Sequence, residues 1–87
     1  MTAVDFAAFV ERLAQVSGEV DRVYSLSALS RADAIEDARQ KATAVAVAAG
    51  ARAETIEVVE VEDVPLAYLP GNATRVRVKV VGELHVA

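Results

Sequence analysis

The sequence predicts a two-layer α+β fold: a three-stranded mixed sheet with helices on one face, in the order α-β-α-β-β. Three observations carry this expectation. Residues 73 to 86 alternate apolar and polar side chains, the period of a half-buried strand. Residues 30 to 50 form an alanine-rich helical run bracketed by a capping serine and a glycine. Residues 54 to 64 are rich in valine and carry a second strand pattern.

Taken in chain order, residues 3 to 16 read as an amphipathic helix. Phe6, Phe9, Val10 and Leu13 recur at helical spacing, Thr2 serves as N-cap, and Gly18 follows as the expected stop. Residues 19 to 27 are a strand in which Val20, Arg22, Tyr24 and Leu26 share a face and Val23 looks away. Ser30 and Asp33 then open the second helix, and Gly50 closes it. Ile35, Ala38, Ala42, Val45 and Ala49 step by three and four residues, which predicts the seam that meets the sheet. In the second strand the apolar phase flips between Val58 and Val59, the mark of a β-bulge or of a strand packed on both faces. In the third, Val76, Val78, Val80, Gly82, Leu84 and Val86 fall on one face, and Arg75, Arg77, Lys79, Val81, Glu83 and His85 on the other. That strand is expected either between the first two, a split β-α-β arrangement, or at an edge.

Composition bounds the rest. Eighty-seven residues make one domain, spanning 1–87. Of its apolar residues, 18 are alanine and 16 valine, so thin layers are favoured over a thick core. With no cysteine, thiol and disulfide chemistry are excluded and a reducing, cytoplasmic setting is expected. A net charge of −4 argues against nucleic acid or an anionic membrane as partner. Met1-Thr2-Ala3-Val4-Asp5 carries no basic n-region, so no signal peptide is expected, and no apolar run is long enough to span a bilayer.

Chemistry-bearing residues are few. His85 is the only histidine and lies on a polar strand face. Glu54, Glu57, Glu60, Glu62 and Asp63 form an acidic strand facing the basic Arg75, Arg77 and Lys79. Cross-strand ion pairs that set register, about 0.2–1 kcal/mol each, are the expected role, with anion binding by the basic stripe the lesser reading. Ser17, Ser25, Ser27 and Ser30 lack a histidine–aspartate partnership, and the four glycines form no phosphate loop. No catalytic residue, cofactor or metal ligand is expected. The segment from Pro65 to Pro70 holds Leu66, Tyr68 and Leu69, three of the scarce bulky apolar residues. They serve either as a lid on the open sheet face or, with Phe6 and Phe9, as an interface for another chain.

Two stretches also carry a resemblance. Gln15-Val-Ser-Gly-Glu-Val-Asp-Arg-Val23, and the run from Val61 to Lys79 containing Pro65-Leu-Ala-Tyr-Leu-Pro-Gly-Asn72, resemble the C-terminal region of the hydantoinase/oxoprolinase family. Members of that family are several times longer, have an actin-like ATPase architecture, and use ATP to activate amides, cyclic ureas or lactams; related carboxylases act on ketones. Where the family carries an Asn-Ala-Ile-Gly-Ala-like run, this chain reads Ala7-Ala-Phe-Val-Glu11, so nucleotide contact is not carried over. The resemblance implies a non-catalytic small subunit or terminal domain of an ATP-dependent amidohydrolase or carboxylase, with a larger chain of that family as partner in a hetero-oligomer. The alternative is a free-standing homodimeric scaffold or ligand-binding module.

Overall fold

A computed structural model describes residues 14–66 and 72–85 of the chain. In them strand β1 (Gln15–Ser25) leads to helix α1 (Arg31–Ala48), then to β2 (Glu57–Pro65) and β3 (Ala73–Glu83). The sheet order is β1-β3-β2. Both bonded pairs are antiparallel, so β1 and β2 run the same way but are separated by β3. This is the split β-α-β arrangement of the α+β class. The expected mixture of strand directions is present, but no two parallel strands are bonded to each other among the described residues.

The predicted first helix lies outside the described residues except for its last turn. There Gln15 and Val16 are strand, paired with Glu83 and Gly82. The Ala14 carbonyl accepts the Leu84 N–H at 2.6 Å. Gly18 is therefore not a helix stop. It sits inside β1, opposite Val80, and is buried against α1. A Cβ at Gly18 would stand 2.2 Å from the Ala42 carbonyl oxygen and 2.7 Å from the Ala46 nitrogen. Only glycine lets the helix backbone come so close.

Both predicted ends of α1 are in place. Ser30 Oγ accepts the Asp33 N–H at 3.1 Å, and Gly50 follows the helix at φ +108°. The buried seam differs from the expected one. It is Ala34, Ala38, Ala42 and Ala46, each wholly buried, whereas Val45 is 46% exposed. A step of four residues turns about 40° beyond a full revolution, so this row drifts around the axis as the twisted sheet turns beneath it. Methyl side chains alone fit the short distance that Gly18 sets, which moves Ile35 and Val45 to the flanks.

The flanks can be assigned. Arg31 Nε pairs with Asp63 of β2 at 2.7 Å, which turns the row Arg31, Ile35, Arg39, Thr43 and Val47 toward β2. The Tyr24 hydroxyl donates to Asp37 Oδ2 at 2.7 Å, which turns the row containing Asp37, Lys41 and Val45 toward β1. The core lies between α1 and the β1–β3 pair, with Tyr24, Val76, Val78 and Val80 beneath the alanines. Asp37 also pairs with Lys41 at 2.7 Å, as the helical spacing predicts.

Strand β2 starts three residues later than expected, because Ala53–Thr55 form a 3-10 turn. The Thr55 hydroxyl accepts the Glu83 N–H at 2.8 Å and fastens this turn to β3. The bulge falls where the phase flip places it: Val58 faces Val80 and Glu60 faces Lys79, leaving Val59 as the extra residue. At this same end of the sheet, regular pairing of β3 stops at Glu83. Leu84 then bridges to Ala51, and the His85 N–H donates to the Gly50 carbonyl at 2.7 Å.

Candidate interaction surface

The helix-free face of the sheet carries alternating charge in three rows. In register, Lys79 stands between Glu19 and Glu60, Arg77 between Asp21 and Glu62, and Arg75 between Val23 and Val64. Each arginine leans one step diagonally toward β1. Arg75 grips Asp21 with a two-point fork of 2.8 and 2.6 Å, and Arg77 Nε lies 2.7 Å from Glu19. The Arg75 fork holds the Asp21 carboxyl below its usual range. Arg77 reaches Glu60 at 3.4 Å and Glu62 at 3.8 Å, and these surrounding carboxylates, Glu60 foremost, raise its pKa. Arg75 and Arg77 of the basic stripe are thus engaged by carboxylates.

The remaining chemistry-bearing residues are dispersed. Glu54 pairs with Arg52 at 2.8 Å in the 3-10 turn. Asp63 points to the helix side, where it holds Arg31 and accepts the Thr74 hydroxyl. Ser25 and Ser27 hydrogen-bond to each other at 2.9 Å, Ser30 caps α1, and His85 is exposed beyond β3. Among the described residues no three histidine, cysteine or acidic side chains stand where they could hold a metal ion. A shallow hollow of about 350 Å³ opens by the bulge, lined by Gln15, Glu57, Val59, Val81 and Glu83.

Of the five predicted interface residues, Phe6, Phe9, Tyr68 and Leu69 lie outside the described residues. Leu66 is 9% exposed, and its N–H donates to the Ala73 carbonyl at 2.9 Å.

The apolar surface that sequence reasoning passed over is on β2. Among the described residues, helix α1 packs on β1 and β3 and reaches the helix-side face of β2 through the Arg31–Asp63 pair, leaving Val58 and Val61 on that face without a covering element. Val58 and Val61 face that side and are 42% and 50% exposed, and Val47, in the helix row turned toward β2, is 43% exposed. No helix among the described residues is long and apolar enough to cross a membrane.

Fold and surface together define a small α+β domain in which β2 is an edge strand among the described residues. Comparison with protein-family models, with curated proteins and with solved structures finds no match to this chain.

Proposed function

We propose that this chain is a non-catalytic interaction domain, acting as a small subunit or terminal domain beside a larger chain of the hydantoinase/oxoprolinase type. Its contribution is assembly rather than bond breaking. The observation that carries the reading is the open helix-side face of β2. Val58 and Val61 keep about half their surface in water although α1 packs on the neighbouring strand β3. An apolar strip on an edge strand favours association with another chain. The resemblance in Gln15–Val23 and Val61–Lys79 supplies the kind of partner.

Sedimentation of the chain mixed with a hydantoinase/oxoprolinase-type subunit lacking this region tests the reading. A defined hetero-complex is the expected result. ATP hydrolysis or ring opening by the isolated chain above background overturns it, and so does a chain that only self-associates.

A further inference from the structure

We infer that the free edge of β2 receives an extended segment of a partner protein in which lysine or arginine alternates with valine or isoleucine. The inference rests on the reading of this chain as an interaction domain and specifies where and by what chemistry it binds.

Among the described residues strand β2 has one hydrogen-bonded neighbour, β3, and along its other side every second residue turns its N–H and C=O away from the sheet. Such an edge accepts an added strand by main-chain pairing, and side chains on its two faces then select the sequence. Beyond the bulge, Glu60 and Glu62 project on the helix-free face, and Val61 projects on the helix side. The neighbour that β2 already takes has the matching pattern: Lys79 opposite Glu60, Val78 opposite Val61, Arg77 opposite Glu62. A strand's side chains border both of its neighbours, so the same pattern fits the free edge.

The charge of Glu60 and Glu62 is only partly engaged within the fold. Arg77 stands 2.7 Å from Glu19 but 3.4 and 3.8 Å from the two β2 glutamates, whose side chains are 45% and 55% exposed. An antiparallel pairing of two β2 edges would set glutamate against glutamate, which disfavours a second copy of this chain as the occupant. A basic, β-branched strand satisfies the carboxylates, covers Val61 and completes the backbone pairing together.

The test uses the full chain and a capped peptide alternating lysine and valine, with a peptide of the same composition in blocks as control. Anisotropy titrations at about 0.15 M salt measure affinity, and amide hydrogen exchange locates the contact. The alternating peptide is expected to bind at least about tenfold more tightly than the block peptide, with new protection confined to Glu60–Val64. Glu60→Lys with Glu62→Lys is expected to abolish binding. The isosteric pair Glu60→Gln and Glu62→Gln, which leaves the packing in place, should weaken binding about tenfold. Equal affinity for both peptides, no binding of either, or protection along β1 overturns the assignment. If the peptide fails while the hetero-complex forms, the edge assignment falls and the interaction reading stands; binding of the peptide without a hetero-complex has the opposite meaning.

Discussion

Gly18 of β1 and Ala42 of α1 meet backbone to backbone: a Cβ on Gly18 would lie 2.2 Å from the Ala42 carbonyl oxygen. The contact sets the distance between the two layers, and the all-alanine row follows from it. A carbonyl in mid-helix cannot give way without moving the helix.

Gly18→Ala is therefore expected to destabilise the domain by about 3 kcal/mol or more, the upper range for an added methyl in a packed interior. Urea denaturation of the two proteins checks this. An unchanged midpoint would mean that the layers are not in contact at this point.

Tyr24 is 7% exposed, and burial, followed by its hydrogen bond to Asp37, pushes its pKa up to about 12 from 10.0. The proton is held more tightly in the folded state, so this contribution to stability is complete below pH 10 and fades as pH rises toward 12. In a Tyr68→Phe background Tyr24 is the sole tyrosine. Its tyrosinate absorbance should rise well above the ordinary midpoint while the chain is folded, and near pH 10 once it is unfolded in urea.

Acid acts in the opposite direction. The Arg75 fork lowers the pKa of Asp21, Lys41 and then Tyr24 that of Asp37, and Arg39 that of Glu36. With folded values depressed, the unfolded chain takes up protons first, so this stability is present above the ordinary values of 3.8 to 4.5 and is lost as pH falls below them through the depressed folded values. Melting temperature should be level near neutrality and drop below about pH 4.5. Asp37→Asn should flatten that drop.

Val58 and Val61 allow a separation of folding from association. Val58→Thr with Val61→Thr keeps β-branched side chains on an already exposed face, so stability should shift by no more than about 0.5 kcal/mol per site. Affinity for the larger chain should fall about tenfold. Parallel melting curves and sedimentation titrations give both values.

Much of the fold is legible in local chemistry. Ser30 and Gly50 mark the helix because capping and positive φ are properties of those residue types, and the valine phase flip at Val59 reports its bulge directly. Gly18 is legible only as a glycine, since a helix stop and a layer contact demand the same absent side chain. The seam of α1 is hidden for a related reason. Alanine lies on nearly every side of this helix, so the bulky Ile35 and Val45 draw the apparent stripe away from the row that is buried. Val58 and Val61 are three residues apart and reach one face only through the bulge at Val59, and whether a helix covers that face depends on how many strands one helix can span.

The order β1-β3-β2 bears on how the protein is made. The strand that binds both others is the last of the three to leave the ribosome, so β1 and β2 emerge with no hydrogen-bonded neighbour. The sheet can begin to close only once β3 emerges at Ala73, and its pairing is complete only when Glu83 is free of the exit tunnel. A break within β3 disturbs both described strand pairings at once, where a break in β2 would spare the β1–β3 pair.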